Sequence, residues 1–266
     1  MIAKTEQILY NHLTFKKPSL TPEPFSMHCH NTYEFIFFEK GEANCIIDEN
    51  KYKLRKNDLI FIRPSKYHCI EFTKDVEYSR INIAFSDTLV NGELLKSIPP
   101  ELEVINCQHE GIIAGLFDRM DYYRDRLDDG AFTEILSAML TEIIYNLTLA
   151  DIDMAHIPST LTPLLSEAIE YINDNLFSIK EINKVSQKFN ISEQYLFRLF
   201  KNQLHISPYK YLLFKRLLCA QNMLQQGKRP TEIYYVCGFD SYVSFYKQYV
   251  KMFGHAPSEE RLTTKV

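Results

Sequence analysis

The sequence predicts a two-domain α+β protein. An N-terminal antiparallel β-barrel or sandwich with appended helices is expected over residues 1–150, a linker over 151–163, and an all-α domain over 164–266. Three observations carry this reading. Short aromatic and β-branched runs crowd residues 33–85, apolar residues at helical spacing replace them after Pro99 and Pro100, and the net charge changes sign along the chain. With 266 residues, 45% of them apolar, the chain is comfortable for two cores. From residue 176 onward, 14 lysines and arginines face 6 acidic residues, a net of +8, whereas the remainder holds 16 against 28, a net of −12. A basic C-terminal third suits a polyanion, because attraction to phosphate supplies most sequence-independent affinity for nucleic acid.

The strand region comes first. The runs YEFIFFE, ANCII, DLIFI, YHCIEF and YSRINIAF alternate with the turn-like pieces EKG, IDEN, RKN and RPSK, which predicts an antiparallel meander. In the last run Ile81, Ile83 and Phe85 share one side and Tyr78, Arg80 and Asn82 the other, so one face meets a core and the other something polar. Two amphipathic helices follow, GIIAGLFDRMDYYRDRL and AFTEILSAMLTEIIYNLTL. In the second, Ile135, Met139, Ile143 and Leu147 recur beside Leu136, Leu140 and Ile144; this stripe suits either a core face or the seam of a homodimer through residues 111–149. The segment ADIDMAHIPSTLTP then reads as a linker.

Beyond it the pattern is helical. LLSEAIEYINDNL leads to a short helix, INKVSQKF, the turn NIS and a second helix, EQYLFRLFKNQL, capped by Ser192 and carrying Leu196, Leu199 and Phe200 inward. Two short helices around a tight turn make a helix-turn-helix. A long helix begins at Ser207-Pro208 and ends near Gly227, and PTEIYYV, CGFDS and YVSFYKQYVKMF then repeat the unit. The 17 residues from Tyr209 to Gln225 would span roughly 25 Å at 1.5 Å each. Adding the flanking units, the two second helices would stand about 34 Å apart, one turn of B-DNA, and enter successive major grooves.

No basic start precedes a sustained apolar run and no stretch of membrane-spanning length lacks charge, so neither secretion nor insertion is expected and the cytoplasm is the default. Six cysteines without a C-x-x-C pair fit reduced thiols.

Residues 164–261 resemble the DNA-binding domain of the AraC/XylS family of bacterial transcription regulators. The resemblance rests on Ile233, Gly238-Phe239, Phe245, Tyr249, Gly254, Pro257 and Arg261 in the second unit. In the first it rests on Ser192, Leu196, Leu199-Phe200-Lys201, Pro208, Tyr211-Leu212 and Arg216. The chain departs from the family at Tyr234 and Ser186, where a small residue or alanine is usual, at His205 in place of a common glycine, and at Val250 in place of a frequent lysine. The resemblance implies double-stranded DNA as partner, with RNA polymerase as a further one, and base-facing roles for Gln194, Phe197, Arg198, Tyr242, Val243, Ser244, Tyr246 and Lys247. Arg198 suits a guanine edge, Gln194 suits adenine, and Lys201, Lys210 and Lys247 suit phosphate.

The same resemblance implies a cupin-like N-terminal half that binds a small effector. In FSMHCHNTYEFIFFEKG, residues His28, His30, Glu34 and Gly41 keep the H-x-H-x3-E-x6-G spacing of the first cupin motif. On an unbroken strand His28, His30 and Glu34 would share one face. With His68 from a neighbouring strand they would suit Zn, Fe, Mn or Ni. The second motif is degraded: Asn57 replaces its first glycine and His68 arrives one residue early. The preferred expectation is therefore a metal-free pocket wall of His28, His30, Glu34 and His68, with Arg80 or Asn82, in a protein that binds rather than catalyses. A metal in the N-terminal half stays open, and a metal-dependent cupin enzyme with a helical appendage is the alternative.

Overall fold

Apolar residues on both faces of the same strands bind the N-terminal half into three layers, visible in a computed structural model that describes residues 2–4, 8–16, 27–30, 32–64, 66–107, 111–149 and 161–260. The chain divides into two compact units, Met1–Thr160 and Leu161–Val266.

In the first unit, strands β1 (Ile2–Lys4), β2 (Ile8–Phe15), β3 (Tyr33–Lys40), β4 (Ala43–Ile47), β5 (Asn50–Lys53), β6 (Asp58–Ile62), β7 (His68–Phe72) and β8 (Tyr78–Phe85) precede a short helix α1 (Gly92–Lys96) and strand β9 (Val104–Asn106). They form a six-stranded sheet in the order β1-β2-β8-β3-β6-β9 and a three-stranded sheet β5-β4-β7, antiparallel throughout. These are two facing sheets, the sandwich form of the expected architecture. The period of two in β3 explains the layering: Ile36 and Phe38 pack with Cys45, Ile47, Tyr52 and Ile70 between the sheets, while Phe35 and Phe37 point the other way.

That other face is covered by helices α2 (Ile112–Arg124) and α3 (Asp129–Leu149), where the Phe37 ring stacks on Phe117 at 4.5 Å. Leu136, Met139, Leu140, Ile143, Ile144 and Leu147 of α3 are all buried in this core with Ile81, Ile83 and Phe85 of β8. The α3 stripe is thus occupied within its own unit, and only Ile135 on it is partly buried. Each fully buried side chain of this size contributes roughly 1.5–3 kcal/mol.

The second unit is helical: α4 (Pro163–Asp174), α5 (Asn183–Lys188), α6 (Glu193–Leu204), α7 (Pro208–Gln225), α8 (Pro230–Ile233) and α9 (Tyr242–Phe253), ending in a 3-10 turn at Pro257–Glu259. Pro163 is the first residue of α4, as its missing N–H permits. The final three positions of the expected linker, Leu161 to Pro163, therefore belong to this unit, and its first ten, 151–160, lie outside the described residues, as does Arg261. Among the described residues no helix is long and apolar enough to cross a membrane. The six cysteines are free thiols, and burial pushes Cys29 and Cys69 up to about 12 and Cys237 to about 11, which keeps them protonated and unreactive.

Candidate nucleic-acid interface and ligand cleft

Serine caps set the two outward-facing helices of the second unit. Ser192 accepts from the Tyr195 N–H at 3.1 Å and Ser241 from the Ser244 N–H at 3.2 Å, fixing the starts of α6 and α9. Ser207 caps α7 in the same way, with Pro208 behind it. Apolar residues every three or four positions then turn one face of each helix inward: Leu196, Leu199, Phe200 and Leu204 on α6, and Phe245 and Tyr249 on α9.

The opposite faces carry the expected DNA-contacting residues. Gln194, Phe197, Arg198 and Lys201 are exposed on α6, Lys210 in the first turn of α7, and Val243, Ser244, Tyr246 and Lys247 on α9, with Val243 62% exposed. Tyr242 differs. It is half-buried, its ring 6.0 Å from Phe245 and 5.9 Å from Tyr234, so part of it belongs to the small core rather than to an open surface. The Arg198 guanidinium lies 5.7 Å from the Tyr195 ring and, among the described residues, forms no ion pair, which leaves its donor fork available.

The two helix-turn-helix units are joined by one buried side chain. Arg216 on α7 donates to the Leu176 carbonyl at 2.8 Å, to the Ile179 carbonyl, and to the Gly238 carbonyl at 3.1 Å. Burial lowers its pKa somewhat from the usual value, yet the group remains a cation. Lys180 and Asp240 add an exposed ion pair at 2.8 Å across the same junction. The family departures also find their places. His205 takes a left-handed φ of 55° where α6 ends, the conformation a glycine adopts without strain. Tyr234 packs on the second core, and Ser186 is buried with its hydroxyl donating to the Asn183 carbonyl at 2.9 Å.

In the first unit the cupin-motif residues converge, though not on an unbroken strand. β3 begins only at Tyr33, and His28 reaches the site through a single antiparallel bridge to His68, with N–H to carbonyl distances of 3.1 and 2.9 Å. Nε2 of His30 lies 3.0 Å and Nε2 of His68 2.9 Å from Oε2 of the buried Glu34. Burial pushes the Glu34 carboxyl up, but its two imidazole neighbours outweigh this and hold it well below the usual range. Burial lowers the His30 pKa, and the Glu34 carboxylate reverses this to a net rise. A cleft of about 200 Å³ opens beside these groups, lined by Asn11, Leu13, His28, Glu34, Ile36, His68, Cys69, Ile70, Arg80 and Asn82. Five of the six expected ligand residues line it, and His30 stands behind Glu34.

Two features escaped the sequence. Asn11, paired in register with Asn82, faces the cleft, and the side-chain oxygens of both are buried without a hydrogen-bond partner among the described residues. A second polar cluster joins β2, β3 and β8 to α2: His12 Nδ1 contacts Asp121, His12 Nε2 lies 2.8 Å from Glu39, Tyr10 donates to Asp121 at 2.7 Å and Ser79 to Glu39 at 2.6 Å. No local spacing announces it, since its members lie up to 111 positions apart.

Comparison with known proteins matches both units. Residues 21–147 match the model of an AraC-like ligand binding domain and residues 185–262 that of a helix-turn-helix domain. The chain is 34% identical over 111 residues to the HTH-type transcriptional regulator GbdR of Pseudomonas aeruginosa, covering 41% of this chain and 30% of that protein. It is 23% identical over 256 residues to the HTH-type transcriptional activator RhaS of Escherichia coli, covering 92% and 90%. The match thus spans under a third of GbdR but nine tenths of RhaS. Among solved structures, ToxT from Vibrio cholerae aligns over 96% of this chain and 97% of its own at 15% identity and a TM-score of 0.38. An AraC-type DNA-binding protein of Chromobacterium violaceum aligns over 37% and 89% at 35% identity and a TM-score of 0.35.

Proposed function

We propose that this chain, which belongs to the AraC family of transcriptional regulators, binds specific duplex DNA through α6 and α9 under the control of a small molecule held in the N-terminal cleft. The observation that carries the proposal is the pair of serine-capped helices, each with its apolar face buried and its polar or aromatic face exposed, joined by the 18-residue α7. At 1.5 Å per residue α7 measures about 27 Å, which suits two reading helices entering successive major grooves. Arg198 reads a guanine edge, Gln194 contacts adenine, and Val243 and Tyr246 meet thymine methyl or sugar groups; Lys201, Lys210 and Lys247 hold phosphates.

The effector sits among Asn11, His28, His68, Arg80 and Asn82. The two orphaned amide oxygens favour a ligand that donates hydrogen bonds there, because a buried acceptor without a partner costs roughly 1–3 kcal/mol. Such a ligand changes DNA binding to the extent that it prefers one arrangement of the chain over another. The protein acts as a homodimer through α2 and α3, using exposed positions such as Tyr122 and Tyr145 since the α3 stripe itself is core. It works in the cytoplasm, where RNA polymerase is its further partner. A metal-dependent enzyme is not favoured, because the first unit matches a ligand binding domain and the second a helix-turn-helix domain.

Selection of bound sequences from random DNA, with and without cell extract as a source of effector, tests the proposal. A recovered site with two half-elements about one helical turn apart is the expected result; no enrichment under either condition overturns it.

A further inference from the structure

We infer that Cys219, Met223 and Cys237 form a three-sulfur site in the second unit for a soft monovalent metal ion, Cu(I). Cys219 and Met223 stand one turn apart on α7, and residues four apart on a helix share a face, with their β-carbons about 5–6 Å from each other. Cys237 comes from the turn between α8 and α9. Its N–H donates to the Ile233 carbonyl at 2.9 Å, and the next N–H, of Gly238, donates to the Tyr235 carbonyl at 2.9 Å. The turn so pinned lays its thiol against α7, where Cys237 Sγ lies 3.8 Å from Met223 Sδ. The Cys219 thiol is near enough to act on Cys237 electrostatically, which brings all three sulfurs to one side of the helix.

The spacing suits an ion. Two sulfurs held about 2.3 Å from a shared metal, at about 110–120° to each other, stand about 3.8–4.0 Å apart. Packing alone accounts for Cys237, which is fully buried among Leu217, Leu224, Ile233 and Phe245. It does not account for the half-buried Cys219, whose sulfur borders the same spot from α7. Among the described residues no histidine, aspartate or glutamate makes a third ligand with the two thiols, so the donor set is sulfur throughout. Thiolate with thioether selects Cu(I), whereas zinc takes four ligands from cysteine, histidine and carboxylate and lacks its complement here.

Burial keeps both thiols protonated until a coordinating ion displaces the proton. Binding breaks two S–H bonds, passes both protons to solvent and forms two metal–thiolate bonds, with no change of oxidation state. Two thiolates and one Cu⁺ carry a net negative charge. Lys215 beside Cys219, with Arg216 and Lys228 beside Cys237, offsets it. A monovalent ion also costs less to bring into an apolar setting than a divalent one. Cys219 gives the ion its entry, and Cys237 adjoins Gly238, whose carbonyl accepts from Arg216. An ion held there clamps the turn before α9 to α7, an input to the second helix-turn-helix that does not depend on the N-terminal cleft.

The test uses the full reduced chain without an affinity tag, kept free of oxygen and given Cu(I) as its acetonitrile complex at no more than one equivalent, in competition with a Cu(I) chelator. After desalting, elemental analysis should find about one equivalent retained, and X-ray absorption at the copper edge should show sulfur neighbours alone. Cys219→Ser, which keeps size at a half-buried position, should weaken binding by about 10-fold or more, since loss of a direct ligand costs at least as much as loss of an outer contact. Met223→Leu should weaken it less. Should Cys237→Ala fail to fold, these two variants still decide the matter. No retained copper in the unmodified chain, nitrogen or oxygen in the copper shell, or undiminished affinity in the Cys219→Ser/Met223→Leu double variant overturns the inference.

Discussion

Arg216 donates to the Gly238 carbonyl at 3.1 Å, and a β-carbon added at Gly238 would lie 2.9 Å from the same guanidinium. The glycine is needed twice over, because its φ of 82° is also left-handed. Gly238→Ala should therefore displace Arg216 and lower the stability of the second unit by about 2 kcal/mol or more. Arg216→Met should do at least as much, since it strands three buried carbonyls. Thermal unfolding followed by circular dichroism measures both; unchanged midpoints would remove Arg216 as the joint between the helix-turn-helix units.

Arg198→Ala is expected to lower affinity for the selected site by roughly 1–3 kcal/mol while leaving random DNA nearly unaffected. Lys247→Ala should weaken both DNAs alike and reduce the slope of log affinity against log salt by about one. Anisotropy titrations at several salt concentrations separate the two behaviours, and equal losses on both DNAs for Arg198→Ala would refute base contact.

His205→Gly should stabilise the second unit by about 0.5–1 kcal/mol. The left-handed φ of 55° strains any side chain with a β-carbon, and the residue is exposed. The unfolding midpoint should rise by a few degrees with DNA affinity unaltered.

His12, held between Glu39 and Asp121, titrates near pH 9 rather than its ordinary 6.5, raised first by the hydrogen bond to Glu39 and opposed by burial. A raised folded pKa means that the stabilisation is complete below pH 6.5 and is lost as pH climbs through 9. After allowance for partial solvent screening, the loss should amount to roughly 1 kcal/mol. Unfolding midpoints across pH 6–10 should decline in the wild-type chain and flatten over that window in His12→Gln.

The sequence made β3, β4, β6, β7 and β8 legible because their apolar runs are bounded by turn residues, but not β5, whose NKYK holds no apolar run, and it made the helix-turn-helix units legible because apolar residues recur at helical spacing around tight turns, with Ser192 as a visible cap. β2 was not, because ILYNHLTF places apolar side chains at both parities and shows no single inward face; β9, at three residues, is too short to show a period. Convergence of His28, His30, Glu34 and His68 was foreseen for a reason that does not hold. They meet through a bridge between His28 and His68 and through the imidazole contacts of Glu34, not along one strand. Contacts such as His12 with Asp121, 109 positions apart, are created by the fold and leave no mark in local spacing.

α7 is continuous for 18 residues. Each residue in such a helix advances the azimuth by about 100°, so inserting or deleting one would swing α9 out of phase with α6 by more than a quarter of a revolution. Substitutions along this shaft should be absorbed individually, whereas any change of its length should uncouple the two halves of the grip at once.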